Sequence, residues 1–430
     1  MIKHNTQRQT IVFSDIFSAS PRNGVWKSKE YQGHGTEMIK MNELFKYGRI
    51  DAQAIDFDHI ELTEVEKEKL LIEDDDLIFS RTSVVAEGVG KCALVTVRGK
   101  ELTYDSNTFR VRLDQTVALP TFYYYYFNSP QGRAQIMSLA SGAAITTISG
   151  SKISSIEVPF PPLPTQRKIA AILSAYDDLI ENNTRRIAIL EEMAQMLYRE
   201  WFVRFRFPGH ESVRMVDSPL GPIPEGWEVT TIGEVSAYLN RGVSPRYDDE
   251  SSSRVINQKC IRDGRLNMEL SRGHSTKVLS EKFVQFGDVL INSTGEGTLG
   301  RVTQVYSELP DCTVDSHVTI VRPRTRSSID YFGLQLLNLQ PYFSVMGFGA
   351  TNQTELGRQT IANTVFLLPP RDLQERFSET VVPMRNSVVL LSERNALLRA
   401  ARDLLLPRLI SGELDVAELE IAGVSNGGGI

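Results

Sequence analysis

The 430-residue sequence predicts an α+β chain: two duplicated mixed α/β pieces separated by two long helices, paired as an antiparallel coiled coil with pseudo-twofold symmetry. Three observations carry this. Two long stretches each hold an apolar seam in steps of three and four residues, the signature of helices that pair. Both stretches open with paired prolines and a glutamine. The text ahead of each is written twice.

The first piece covers residues 1–159. Short β-rich runs at Asp76–Phe79, Ala93–Arg98 and Thr108–Leu113 are divided by Gly, Ser and Asp turns, which reads as an irregular sheet. The aromatic run Phe122–Phe127 reads as core, because aliphatic residues replace it in the second copy. The first long helix occupies residues 160–207, with its seam at Ile172, Tyr176, Leu179, Ile187, Leu190, Ala194, Leu197 and Trp201 and a polar exception at Asn183. Thr165 can cap its start, and Pro208 and Gly209 end it. The second piece covers residues 208–366. A second long helix at residues 367–416 has its seam at Phe377, Val381, Met384, Val388, Leu391, Leu398 and Leu405. Residues 417–430 read as a flexible tail.

The repeat fixes the equivalences. Phe13–Ile16 matches Ile232–Val235, Tyr47–Ile50 matches Asp263–Leu266, Asp76–Ser80 matches Asp288–Asn292, and Tyr104–Ser106 matches Val314–Ser316. Gly142-Ala143 recurs as Gly349-Ala350, and Gln166 recurs as Gln374, 208 positions on. The shared framework carries unlike polar loops: Arg81-Thr82-Ser83 stands where the second copy has Ser293-Thr294-Gly295, and Asn107-Thr108 where it has His317-Val318. Two binding modules for different targets have this pattern.

Composition narrows the class. Hydrophobic residues make up 41% and charged residues 23%, as in ordinary soluble proteins, and no run approaches the length that spans a bilayer. The isolated Cys92, Cys260 and Cys312 fit a reduced, cytoplasmic compartment. The net charge of −6 leaves nucleic acid open, since phosphate binding needs local basic patches and not a basic total.

No catalytic constellation emerges. The Pro-Pro pairs introduce helices and lack the flanking residues of an adenine-methylating motif; Gly88–Lys91 lacks the spacing of a phosphate loop; His34 and Glu37 have no further ligand nearby. Asp315-Ser316-His317 lie side by side and cannot form a relay if they share a strand.

The candidate DNA-binding residues are Arg22, Asn23, Trp26, Lys27, Arg81, Thr82, Ser83, Lys91 and Asn107 in the first copy. In the second they are Arg241, Ser244, Arg246, Tyr247, Asn292, Thr294, Arg301 and His317, with Asn240 beside them. Arg and Lys neutralise phosphates or fork onto guanine, and Asn matches adenine with a donor and an acceptor. For any one of them alone solvated surface is the favoured reading, and only as a clustered set do the two readings draw level. Arg185, Arg186, Trp201, Phe202 and Phe205 on the first helix are candidate partner contacts, with coiled-coil register as the alternative for the arginines.

The two Pro-Pro-x(3)-Gln blocks at Pro161–Gln166 and Pro369–Gln374, the LYREWFVRF text at Leu197–Phe205 and the closing LLLPRLISGEL at Leu404–Leu414 occur in a distinctive order. In this order the whole chain resembles the specificity subunit of Type I restriction-modification enzymes. The resemblance implies two target recognition domains, each reading half of a split asymmetric sequence in double-stranded DNA, with the helices setting the gap. It implies two modification subunits bearing an adenine-N6 methyltransferase site, joined by restriction subunits that translocate and cut. SAM, ATP and Mg are then expected on those partners, with no cofactor or metal in this chain. Two other readings stay open: a stand-alone SAM-dependent methyltransferase with unrecognised motifs, and a coiled-coil adaptor without DNA contact.

Overall fold

In a computed structural model the described residues are 9–142, 145–348 and 354–421. Gly142 is described, but its companion Ala143, the repeat Gly349-Ala350 and most of the expected tail lie outside them. Contacts divide the chain into two compact units: Met1–Glu181 with Asn395–Ile430, and Asn182–Arg394. Each unit therefore takes one globular piece and half of each long helix.

The first unit holds a five-stranded sheet in the spatial order Phe17–Asn23, Thr108–Leu113, Leu77–Ser80, Cys92–Thr96, Arg49–Asp51. The second holds four strands in the matching order Ser236–Arg241, Val318–Pro323, Val289–Asn292, Val302–Gln304. Beside each sheet lies a three-stranded one containing a parallel pair, Gln32–Ile39 with Leu102–Tyr104 and Arg254–Ile256 with Cys312–Val314. The central strands Leu77–Ser80 and Val289–Asn292 are buried along their whole length, which explains their unbroken apolar text. Next to them the same buried ion pair recurs. Arg112 forks onto Asp76 at 2.8 and 2.7 Å, and Arg322 forks onto Asp288 at 2.8 Å through both nitrogens.

The aromatic run becomes the helix Pro120–Asn128, and every ring from Phe122 to Phe127 is buried. It packs against Phe13, Phe79 and Phe109 in the core of the first unit.

The long helices run Leu163–Tyr198, followed by a π turn at Arg199–Val203, and Arg371–Ser411. Within the first unit they are antiparallel, because Lys168, Asp177 and Ile180 meet Ala417, Arg402 and Asn395 respectively. Ile169 and Leu173 join Leu406, Leu409 and Ile410 in one core. In the second unit Ala194, Tyr198 and Phe202 pack with Phe377 and Val381. The sequence seam is partly displaced: Leu179 is 53% exposed, whereas Leu173, Tyr198 and Phe202 are buried. The displacement arises because each helix covers its own globular piece as well as the other helix, so its apolar stripe is wider than a two-helix seam.

The repeated Gln explains how each helix is anchored. Gln166 is fully buried; its oxygen accepts from Leu119 N at 2.8 Å, and its amide nitrogen donates to Pro161 O at 2.9 Å and Val117 O at 3.3 Å. Gln374 repeats all three bonds, to Ser328 N at 2.8 Å, Pro369 O at 2.8 Å and Arg326 O at 3.3 Å. The prolines cannot donate, so the Gln supplies the hydrogens that bring this turn against the globular piece. Gln374→Ala is expected to destabilise the second unit by about 2 to 3 kcal/mol, since it strands buried groups in a dry site. Urea unfolding followed by tryptophan fluorescence checks this, and a loss under about 0.5 kcal/mol would discount the clamp.

Candidate nucleic-acid interface

Four chain segments are tied together identically in both units. After the central strand, the loop closes on itself through Ser80 N to Lys91 O (2.9 Å) and Gly90 N to Ser80 O (2.9 Å). The second unit repeats this with Asn292 N to Arg301 O (2.9 Å) and Gly300 N to Asn292 O (2.8 Å). Gly90 and Gly300 take φ of +63° and +75°, the left-handed region that favours glycine. The next residue reaches the neighbouring turn: Arg81 N donates to Asn107 O at 2.6 Å, and Ser293 N to His317 O at 2.8 Å. The segment ahead of the long helix adds Ile148 N to Arg81 O at 2.9 Å, and Leu356 N to Ser293 O at 2.8 Å. The chain leaving the opening strand completes the set through Val25 N to Tyr104 O and Val243 N to Val314 O, both 2.9 Å.

The turn is shaped by an aspartate. Asp105 accepts from Asn107 N at 3.0 Å, and Asp315 from His317 N at 2.8 Å. Burial pushes both carboxyl groups above the ordinary range, although these bonds pull the other way. This corrects the strand picture of Asp315–His317, which form a turn in which the aspartate caps the histidine's own N–H.

In the first unit Arg22, Asn23, Arg81 and Asn107 are exposed, and Trp26 is 76% exposed. The Thr82 hydroxyl donates to Asn107 Oδ1 at 3.2 Å, and Ser83 Oγ accepts from Val85 N. A cavity of about 830 Å³ lies beside this pair, lined in part by Phe45, Val84, Val85 and Ile145. Lys27 is engaged with Glu66 at 2.7 Å and holds that carboxyl down at about 2. Lys91 donates to Phe45 O at 2.8 Å and sits 5.3 Å over its ring; burial first, then Arg133, lowers its pKa.

In the second unit Ser244, Arg246, Tyr247 and His317 are exposed. The Arg272 guanidinium stacks 3.8 Å from the Tyr247 ring centre. Thr294 Oγ1 lies 2.8 Å from His317 Nδ1. Arg241 is occupied by Glu355 at 2.7 Å and Leu356 O at 3.1 Å, and Arg301 by Gly297 O at 2.7 Å and Ile261 O at 3.4 Å. Asn292, expected at a DNA surface, is instead fully buried and donates to Gln258 O at 3.1 Å. It ends the central strand with its side chain turned inward, so it braces the loop from beneath.

The helix residues divide likewise. Arg185 and Arg186 are exposed. Phe202, expected at a partner surface, is 3% exposed and packs on Tyr331 (4.6 Å) and Phe377 (4.8 Å). Trp201 and Phe205 reach Phe377 and Trp227 at 5.7 and 5.2 Å, so this aromatic group builds the second unit's own core. Sequence reading missed Gln258 and Arg272. Neither lies in a repeated segment, and only the fold brings them to Thr294 and Tyr247.

Comparison with known proteins finds relatives in sequence and in fold. Residues 9–192 match the family model described as Type I restriction modification DNA specificity domain. The MjaIX specificity subunit of Methanocaldococcus jannaschii is 25% identical over 407 residues, covering 91% of this chain and 90% of that one. Residues 9–192 thus carry a Type I DNA specificity domain, and the chain as a whole is similar to Type I specificity subunits. Another similar protein, the HindI specificity subunit of Haemophilus influenzae, is 21% identical over 83% of this chain and 91% of its own. The crystal structure of the S subunit from M. genitalium shares the fold, with a TM-score of 0.58 at 17% identity over 95% of this chain and 98% of that one.

The four-segment junction depends on Gly24 and Gly242. A Cβ there would lie 2.1 Å from Asp105 O and 1.8 Å from Val314 O. Gly24→Ala and Gly242→Ala are each expected to destabilise their own unit by more than about 2 kcal/mol, because backbone must shift to admit the methyl group. Limited proteolysis and thermal melts of the two variants check this.

Proposed function

We propose that this specificity subunit reads a bipartite, asymmetric DNA sequence, one half per unit, and recruits the subunits that modify or cut the duplex. The observation that carries the reading is the junction just described: one framework, built twice, mounts an exposed Asn107 in one unit and an exposed His317 in the other. Exposed Arg22, Arg81 and Arg246 supply phosphate contacts, and Asn23, Trp26, Thr82, Ser83, Ser244, Tyr247 and Thr294 line the same surfaces. Lys27, Lys91, Arg241 and Arg301 act mainly by holding the loops in shape.

The chain itself does no chemistry in this reading. Two modification subunits bring SAM and the adenine-N6 methyltransferase site, and restriction subunits bring ATP, Mg, translocation and cleavage. The helices present apolar surface to such partners. Ile189, Met193, Met196 and Val203 are 56, 41, 48 and 57% exposed, spaced four, three and seven apart in the second unit, near Arg185 and Arg186. Leu397 and Leu404 do the same in the first unit at 72 and 66%. Free, buried Cys92, Cys260 and Cys312 suit a reduced, cytoplasmic setting. No helix among the described residues is long and apolar enough to cross a membrane.

We infer that helix length sets the gap between half-sites. Seven residues inserted at Glu181/Asn182 and seven at Arg394/Asn395, the boundaries between units, add about 10 Å to each helix. The methylated site should then tolerate a gap about three base pairs longer, at 3.4 Å per step. Mapping methylated adenines tests this, and an unchanged gap rejects the ruler. Exchanging residues 1–159 for those of another specificity subunit should change one half-site alone. Methyl transfer from labelled SAM by the purified chain without partners would instead establish an enzyme in its own right. A reconstituted complex whose binding to random duplexes ignores salt would favour a protein adaptor.

A further inference from the structure

In each unit the exposed tip of the capped turn is held in one orientation by the loop beside it, and the two tips differ in hydrogen-bond sense. In the second unit Gln258 Nε2 donates to Thr294 O at 2.7 Å and to Thr294 Oγ1 at 2.8 Å. A main-chain carbonyl only accepts, so the amide nitrogen must face it, and the hydroxyl alongside receives a hydrogen from that nitrogen. The hydroxyl's own proton is thereby directed to its other neighbour, His317 Nδ1, at 2.8 Å. Nδ1 becomes the acceptor, and the neutral ring carries its hydrogen on Nε2. The relay has no room for a side chain at Gly295, whose φ is +102° and whose Cβ would lie 2.8 Å from Gln258 Nε2. The His317 backbone is fixed on both sides, its N–H on Asp315 and its carbonyl on Ser293 N.

In the first unit Thr82 Oγ1 donates to Asn107 Oδ1 at 3.2 Å, and Asn107 Nδ2 donates to Asp105 Oδ2 at 3.4 Å. Each bond uses one of the two positions on its atom. The exposed amide keeps one donor and one acceptor.

Resting on the reading of this chain as a DNA specificity subunit, we propose that Asn107 and His317 are specificity-determining residues of the two half-sites. Asn107 presents the donor and acceptor that match the major-groove edge of adenine. His317, locked by the Gln258–Thr294 relay, presents a donor alone, which suits the acceptor edge of guanine and opposes the amino group of cytosine. Thr294 is a positioning residue: it acts through the histidine.

The test uses the full chain assembled with its modification subunits, with methylation read on a library of randomised duplexes. His317→Asp turns the donor into an acceptor and should move one position of one half-site from guanine towards cytosine, with discrimination changed about tenfold or more. Thr294→Val leaves the imidazole in place but frees its tautomer, and should relax that same position. Asn107→Asp should weaken the preference for adenine at one position of the other half-site. The half-site that stays unaltered reports that each variant has folded. If an aspartate variant fails to assemble, His317→Gln and Asn107→Ser must relax the same positions. Target sequences identical to wild type in these variants overturn the assignment, as does a change in both halves. A wild-type complex that methylates no bipartite site would sink the specificity reading itself and this assignment with it; one that does, with variants unchanged, sinks the assignment alone.

Discussion

A buried amide is the constraint on which the rest of this molecule depends. A long helix is a useful structural member only if its end is fixed, and a helix that starts after two prolines has few N–H groups with which to fix itself. Gln166 and Gln374 solve this by reaching back across the first turn, satisfying one main-chain donor and two carbonyls each in a site closed to water. Being desolvated, these bonds are costly to leave unmade, so the helix start and the globular piece behave as one body.

The same logic continues towards the loops. The buried Asp76–Arg112 and Asp288–Arg322 pairs sit at the entry to the central strand of each sheet. That strand ends where the exposed loop begins, and an aspartate that accepts a main-chain N–H sets the neighbouring turn. Rigid backbone beneath variable side chains lets one scaffold carry two unlike sets of exposed polar groups. The basic residues that looked most like DNA contacts are largely spent on this rigidity. Lys27, Lys91, Arg241 and Arg301 each bond within the chain, whereas Arg22, Arg81 and Arg246 stay exposed beside the smaller polar tips.

Much of the architecture was legible from text because the duplication supplies its own control. Residues that recur at a steady offset, such as Gln166 with Gln374 and Asp76 with Asp288, turn out to perform identical bonds. Helix pairing was also readable, but not which apolar residue faces inward: Leu179 and Leu173 look alike in sequence, and only packing against the globular piece separates them. The site was less legible, since contacts such as Gln258 with Thr294 join residues 36 positions apart with no repeat to mark them. Asn292, at the end of a strand just before a polar loop, reads as a DNA contact, yet the pleat points it inward.

The division of both helices between the units has a consequence for biosynthesis. Asn182–Arg394 is an uninterrupted stretch, complete as soon as it has left the ribosome. The other unit draws Leu406, Leu409, Ile410 and Val416 into the core that contains Phe13 and Phe79. The first unit's core therefore closes only once residues 406–416 have joined it across the whole second unit, so the unit that starts earlier in the chain is completed by the later segment.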